Sequence, residues 1–265
     1  NKLNMVLENW EKDRKRNQFW EETYNMTAIL FSALAALGGG LVMGVTGFGA
    51  GMVIMMVLPV FYSLTESAAI SGVVCTVLNV QMAIRYWKHI HFQTLVAPTI
   101  AYMILCALLI RFSTEVDQSL IRKGFGIFLI CLCIDSLFLQ KENRPHKKNL
   151  VLSILCIAFS AVFDSFFSIG GPLLVIYFMA RTDSTKAYMG TIQAFFFINY
   201  AYSSVVRVIN GILLPSHLAV TLVCSAAVLL GGVIAQKLVS RLDEQMVRKL
   251  IYIMIGVSGV WNLLN

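Results

Sequence analysis

Two glycine-rich stretches interrupt an otherwise apolar chain and decide how it folds. The first reads Thr46-Gly47-Phe48-Gly49-Ala50-Gly51, and the second reads Ile169-Gly170-Gly171-Pro172. Each ends a long apolar segment and precedes a short one, at 51–62 and 172–180. At a rise of about 1.5 Å per residue, neither short segment covers the roughly 30 Å of hydrocarbon in a bilayer. We therefore predict that each is the returning arm of a re-entrant helical hairpin with its tip near mid-membrane.

The composition of the chain indicates an integral membrane protein. Of its 265 residues, 58% are hydrophobic and only 13% are charged, whereas soluble domains carry about a quarter charged residues. Long apolar segments that suit membrane passage recur, and they lie at 28–46, 66–84, 94–112, 119–139, 150–168, 187–206, 217–236 and 246–264. The net charge of +7 is spread between these segments. It therefore indicates loops at a membrane surface, with lipids and no nucleic acid as partners, and we expect the cell (inner) membrane.

The two halves of the chain resemble each other. Gly49-Ala50-Gly51 aligns with Gly170-Gly171-Pro172 at an offset of 121, and Asn79 aligns with Asn199. One hairpin and three crossings per half make an odd number of passes, so the second half must be inverted. We predict an all-α integral membrane fold of two inverted repeats, each a re-entrant helical hairpin plus three transmembrane helices. Its parts are an N-terminal interfacial segment (1–27), a first repeat (28–140), a linker (141–149) and a second repeat (150–265).

The distribution of basic residues gives an orientation. Most Lys and Arg residues beyond the N-terminal tail fall on the side of the 141–149 linker, which the positive-inside rule places in the cytoplasm with both termini outside. The N-terminal tail adds five basic residues to the other side, so the difference in the number of basic residues between the two sides becomes smaller. Its charges alternate with Trp10, Phe19, Trp20 and Tyr24, a mixture typical of a helix that lies at the membrane interface.

The two breaks are the predicted binding site. Each opens a new helix, and a helix N-terminus offers free N–H donors and a partial positive charge to an anion. The alternative is that the glycines only permit tight helix packing and that each buried asparagine bonds to a neighbouring helix. The candidate substrate-binding residues are Thr46, Gly47, Gly49, Gly51, Asn79, Ser168, Gly170, Gly171, Pro172 and Asn199.

Ionisable residues inside apolar segments are the next candidates. Asp135 and Asp164 each lie within such a segment, so both are candidates for proton coupling. Arg85 and Arg207 end the segments 66–84 and 187–206, and we expect them to extend to the surface rather than to attract an anion. The six cysteines lie in apolar stretches and are expected to pack as small apolar residues. No cluster has the spacing of a metal site or an activated nucleophile, so we expect no cofactor, no metal and no enzyme activity.

With these motifs, the sequence resembles the sulfite exporter TauE/SafE family, also called the toluene sulfonate uptake permease family. The resemblance covers approximately residues 28–264, and its carriers are Thr46-Gly47-Phe48-Gly49-Ala50-Gly51 and Ile169-Gly170-Gly171-Pro172-Leu173-Leu174. It implies a transporter of small, typically sulfur-containing anions. Two features depart from the family pattern: Asp164-Ser165-Phe166-Phe167-Ser168 stands where the family tends to have glycines, and Pro59 comes later than expected.

Together these features predict a secondary transporter that works by alternating access. The expected cargo is a sulfur oxyanion or organosulfonate such as sulfite, thiosulfate or sulfoacetate. A channel-like pore for small anions is the alternative, because opposed hairpins can also line a continuous path. A membrane-embedded enzyme or assembly factor is disfavoured by the lack of clustered His, Cys and carboxylate groups.

Overall fold

The computed structural model describes residues 25–45, 47–113, 115, 117–134, 150–179, 181–238, 256–257, 259–261 and 263–264, and all regular structure in this part is helical. The first half contains α1 (Asn25–Val45), α2 (Ala50–Ile54), α3 (Leu64–Arg85), α4 (Phe92–Ser113) and α5 (Gln118–Ile134). The second half contains α6 (Leu150–Phe167), α7 (Gly171–Met179), α8 (Thr185–Ile209) and α9 (Leu218–Leu238). Short 3₁₀ turns lie at Leu58–Val60, Trp87–His89 and Pro215–His217.

The surface of the helices is that of a membrane protein. Among the described residues, five helices are long and apolar enough to cross a bilayer. Helix α4 exposes a continuous apolar stripe at every fourth residue, formed by Val96, Ile100, Ile104, Leu108 and Phe112. A stripe of this kind would be costly in water but faces lipid at no cost. The chain is therefore an integral membrane protein, and the regular structure of its described part is helical.

Capping residues set the start of the two central helices. Ser63 precedes α3, its hydroxyl accepts a bond from the Glu66 N–H, and the Glu66 carboxylate accepts one from the Ser63 N–H at 2.9 Å. Ser184 precedes α8, and its hydroxyl accepts from the Ala187 N–H at 3.2 Å. These side chains satisfy amide groups that the first helical turn leaves without partners.

Helices α3 and α8 form the centre of the molecule and run antiparallel. At one end, the His91 N–H after α3 donates to the Thr191 hydroxyl of α8 at 3.0 Å. At the other end, Glu66 at the start of α3 lies 3.5 Å from the imidazole of His217, which follows α8. Helix α4 packs against α6 and α8, and α9 packs against α3. The core between them is apolar and includes Tyr102, Phe178 and Phe195.

Glycines bring α1 and α9 into close contact. A Cβ atom on Gly40 would overlap the Val228 backbone oxygen, and one on Gly231 would overlap the Leu37 oxygen. Only glycine allows the two backbones to approach this closely. The contact joins the first helix of one half to α9 of the other.

Both interrupted segments fold back on themselves. The Phe31 ring near the start of α1 stacks on Phe61, which follows the short arm of the first segment, with 6.4 Å between centroids. In the second segment, the Arg181 guanidinium after α7 donates to the Ser153 hydroxyl near the start of α6 at 2.6 Å. In each case the two ends of the interrupted segment are in contact.

The predicted boundaries hold for the second short arm and fail for the first. Helix α7 lies at Gly171–Met179, close to the predicted 172–180. The predicted arm 51–62 is helical only at Ala50–Ile54 and then becomes a turn and a 3₁₀ segment. Pro59 contributes to the change, because proline has no N–H to donate to a carbonyl of the preceding turn. Residues 1–24, Thr46, Asp135, the linker 141–149 and residues 239–255 lie outside the described residues.

Candidate functional site

The first break is built by two glycines in the left-handed conformation. Gly47 has φ 81° and Gly49 has φ 98°, values that side chains with a Cβ rarely adopt. These two glycines form the turn between the end of α1 and the start of α2 at Ala50. The Gln193 side-chain amide of α8 donates to the Gly47 backbone oxygen at 2.5 Å. The first break is therefore fixed by the second half of the chain.

The second break is fixed by the first half. Ser168 follows α6 with φ 51°, a strained value for a residue with a Cβ. Its hydroxyl donates to the Ala68 backbone oxygen of α3 at 2.6 Å, and the Tyr200 hydroxyl lies 3.5 Å from its backbone oxygen. Two residues later comes Gly170, where a Cβ would overlap the Tyr102 hydroxyl. Pro172 lies at the second position of α7, where its missing N–H costs nothing.

The structure brings the two breaks together. A Cβ on Gly51 would lie 2.6 Å from the Ser168 oxygen, and one on Gly171 would lie 3.5 Å from the Phe48 side chain. A cavity of about 20 Å³ lies between them, which is room for roughly one water molecule. It is lined by Met43, Phe48, Gly49, Ala50, Gly51, Met52, Cys75, Ser168, Ile169, Gly171, Phe196 and Tyr200.

The cavity lies near the middle of the molecule. Cys75 and Phe196, which line it, stand close to the midpoints of α3 and α8. Of the predicted binding residues, Gly49, Gly51, Ser168 and Gly171 line the cavity. Gly47 and Gly170 do not line the cavity, but they shape the two turns beside it.

The paired asparagines are buried but do not line the cavity. Asn79 is 0% exposed and Asn199 is 2% exposed. The Asn199 amide donates to the Phe195 oxygen of its own helix at 2.8 Å. The Asn199 side-chain oxygen and both polar atoms of the Asn79 side chain have no hydrogen-bond partner among the described residues. Within the described part of the chain, neither side chain makes the interhelical bond that was the alternative to a binding role.

Asp164 lies in the interior one turn before the second break. It is 0% exposed, and its backbone oxygen accepts a bond from the Ser168 N–H at 2.8 Å. One carboxylate oxygen lies 4.0 Å from the Cys106 sulfur, and the other has no partner among the described residues. The second proton-coupling candidate, Asp135, is outside those residues.

Arg207 is the residue that the sequence interpretation placed wrongly. We expected it to extend to the membrane surface, but it is only 1% exposed. Its guanidinium donates to the backbone oxygens of Asp164 at 3.0 Å and Ser165 at 2.8 Å, both in the last turn of α6. Arg85, by contrast, is exposed as expected.

A polar face on α8 is the signal that points to the burial of Arg207. Ser203 and Ser204 lie three and four residues after Tyr200, and Arg207 lies four and three residues after them, so these side chains share one side of the helix. A lipid-facing arginine at a helix end would not need this polar continuation. Among the described residues, no group of His, Cys, Asp and Glu could hold a metal ion.

Comparison with known proteins assigns the family. The sequence matches the family model Sulfite exporter TauE/SafE over residues 32–261. The chain belongs to the TauE/SafE family. No curated protein and no solved structure matches it. Membership in the TauE/SafE family implies a membrane transporter of sulfur-containing anions.

The two motifs that carry the TauE/SafE resemblance meet at the cavity. Ser168, the last residue of the stretch Asp164-Ser165-Phe166-Phe167-Ser168 that departs from the family pattern, lies directly in its wall. In this TauE/SafE protein the serine keeps the left-handed conformation that glycine would adopt freely, at φ 51°. Its hydroxyl bond to Ala68 offsets part of the strain.

Proposed function

We propose that this protein is a secondary transporter that binds a sulfur oxyanion or organosulfonate between its two helix breaks and moves it by alternating access. Sulfite, thiosulfate and sulfoacetate are the representative substrates. The observation that carries the proposal is the meeting of two interrupted helices around one buried cavity. Discontinuous helices of this kind form the substrate sites of many secondary transporters near the bilayer midplane.

The contacts within each interrupted segment support two re-entrant hairpins. Phe31 on Phe61 closes the first segment, and Arg181 on Ser153 closes the second. Because α3 and α8 are antiparallel, the two segments start from opposite ends of the central helix pair. Non-helical backbone at such depth is tolerated only where protein or a water-filled cavity surrounds it, and here each break is bonded by the other half.

The helix packing supports an inverted repeat. If α1 to α4 correspond in order to α6 to α9, contacts should occur in matched pairs. The contact of α3 with α9 matches that of α8 with α4, and the contact of α2 with α3 matches that of α7 with α8. The contact of α4 with α6 matches the glycine contact of α9 with α1. These matched contacts support the proposed repeat.

The size of the cavity supports a cycle with more than one conformation. At about 20 Å³ the cavity is too small for any of the proposed anions. The two breaks must separate for an anion to enter, and a movement of one half against the other separates them. An open pore would require a continuous path, which this conformation does not offer at the cavity.

Flux measurements on purified protein test the proposal. We expect proteoliposomes to take up labelled thiosulfate or sulfite saturably, and internal unlabelled substrate to accelerate that uptake by exchange. Protein-free liposomes give the background, and labelled choline gives a cation control. Single-channel currents in place of exchange would favour the pore. Uptake restricted to cations or neutral solutes would contradict the anion assignment.

A further inference from the structure

Arg207 has more donor groups than its protein partners use. A single terminal nitrogen makes both bonds to the α6 carbonyls, at 3.0 and 2.8 Å. The Nε and Nη1 atoms are buried and have no hydrogen-bond partner among the described residues. Capping the end of α6 therefore explains only part of this side chain. Buried donors of a charged group are costly when they lack acceptors, so the remaining ones indicate a site for a ligand.

The Arg207 guanidinium lies beside Asp164, whose backbone oxygen it contacts at 3.0 Å, and Asp164 is the one buried acidic side chain among the described residues. Opposite charges buried close together attract each other because little water screens them, and one Asp164 carboxylate oxygen has no hydrogen-bond partner among the described residues. The groups that face this carboxylate are Tyr102 and Cys106 of α4, Cys75 of α3, and Tyr200 and Arg207 of α8. On α7, Tyr177 contacts Arg181 instead: the Arg181 Cζ atom lies 4.1 Å from the centre of the Tyr177 ring. Arg207 is thus the one cation among the described groups around Asp164.

The face of α8 that carries Arg207 continues to the cavity. Tyr200 lines the cavity and lies seven residues before Arg207, hence on the same side of the helix. Between them the Ser204 hydroxyl is buried without a hydrogen-bond partner among the described residues. Opposite lies Gly72, where a Cβ would be 3.5 Å from the Ser168 hydroxyl and 3.7 Å from that of Ser204. Small and polar groups therefore separate the cavity from the guanidinium.

We propose that Arg207 is the charge-recognition residue for the transported anion and that Asp164 is its counter-ion while the site is empty. This inference rests on the proposed function. When the two breaks separate, the anion moves from the cavity past Ser204 and accepts hydrogen bonds from the Nε and Nη1 atoms of Arg207, which have no partner among the described residues. Arginine suits this role because its planar fork matches an oxyanion at two oxygens.

The pairing links anion binding to protonation. An ionised Asp164 competes with the anion for Arg207, and a protonated Asp164 does not. Anion affinity therefore rises as pH falls and weakens as pH rises. For one linked proton the change is at most about tenfold per pH unit. Without Asp164 this dependence disappears, since none of the other described groups facing the guanidinium is a carboxylate.

Binding of thiosulfate to the purified full chain in lipid nanodiscs tests the inference. Thiosulfate is the probe because its own charge does not change near neutral pH. The dissociation constant is measured calorimetrically from about pH 6 to about pH 8 for the wild type, Asp164→Asn, and the double variant Arg207→Gln with Asp164→Asn. The double variant removes both buried charges, so it keeps the interior neutral and favours folding. Lys186→Gln, an exposed residue at the start of α8, controls for loss of one positive charge.

Each outcome decides between the alternatives. We expect the affinity of the wild type for thiosulfate to rise toward low pH. Asp164→Asn should bind thiosulfate equally well at every pH, as tightly as the wild type does at the lowest pH measured. The double variant should bind at least about tenfold more weakly, and Lys186→Gln should match the wild type. Persistent pH dependence in Asp164→Asn, or unchanged affinity in the double variant, overturns this inference but leaves the proposed function standing. A wild type that binds no thiosulfate, sulfite or sulfonate overturns the proposed function as well.

Discussion

The Ser168 hydroxyl donates to the Ala68 backbone oxygen at 2.6 Å, and this bond attaches the second helix break to a helix of the first half. The two residues are 100 positions apart in the chain. Both are fully or almost fully buried, Ser168 at 1% and Ala68 at 0% exposure. The bond therefore fixes one wall of the cavity at a point where the backbone itself is strained.

Ser168→Ala should destabilise the protein. It removes the bond to Ala68 and keeps the Cβ that strains the backbone at φ 51°. We expect a loss of about 1 kcal/mol in unfolding free energy, measured by thermal unfolding in detergent. Ser168→Gly should lose less, since glycine relieves the strain. Ser165→Ala is the matched control, because its hydroxyl donates to the Ala161 oxygen of the same helix. Equal losses in Ser168→Ala and Ser165→Ala would contradict the anchoring role.

Gly170→Ala should impair transport more than stability alone explains. The new Cβ would overlap the Tyr102 hydroxyl and lie 3.2 Å from the Asp164 Cβ, so the second break must shift. Overpacking of this kind costs about 1–3 kcal/mol. Adding Tyr102→Phe removes the overlapping hydroxyl and should restore part of the uptake rate in proteoliposomes.

The control for this change is Gly124→Ala. A Cβ at Gly124 meets nothing within 4 Å, and alanine favours the helix, so stability should be unchanged or slightly higher. If Gly170→Ala transports as well as Gly124→Ala does, the close packing at the second break has no part in transport.

Gln193→Met should loosen the first break. Methionine has a similar length but cannot donate to the Gly47 oxygen, which then loses its bond from α8. We expect about 1 kcal/mol lower stability and faster hydrogen exchange around residues 47–51. Gln93→Met, at an exposed position in α4, should change neither quantity. Unaltered exchange at the first break in Gln193→Met would show that α8 does not hold it.

The proposed inverted topology predicts a labelling pattern. Positions at the adjoining ends of α3 and α8, such as Trp87 and Lys186, should lie on one side of the membrane. Positions near Ser63 and Pro215 should lie on the other, because Glu66 and His217 meet there. Cysteines introduced at these four positions are reacted with an impermeant maleimide in sealed vesicles. If Trp87→Cys and Pro215→Cys label from the same side, the topology is wrong.

Local chemistry made much of the fold predictable. The apolar segments that became α3, α4, α6, α8 and α9 follow from their length and composition, because lipid requires long helical runs. The breaks followed from glycine at Gly47, Gly49 and Gly170, since the conformations and contacts there exclude a side chain. Pro59 was visible as well, yet its effect on the predicted arm 51–62 was underestimated.

The sequence by itself determined a membrane protein with two interrupted helices, because hydrophobicity and backbone preference act within a few neighbouring residues. Only the tertiary structure decided that the breaks meet, that Asn79 and Asn199 lie outside the cavity lining, and that Arg207 is buried. These outcomes depend on partners far apart in the chain, 146 residues for Gln193 and Gly47 and 43 for Arg207 and Asp164. A charge at the end of an apolar helix is equally compatible with the membrane surface or with the interior until the packing of the other helices supplies its acceptors.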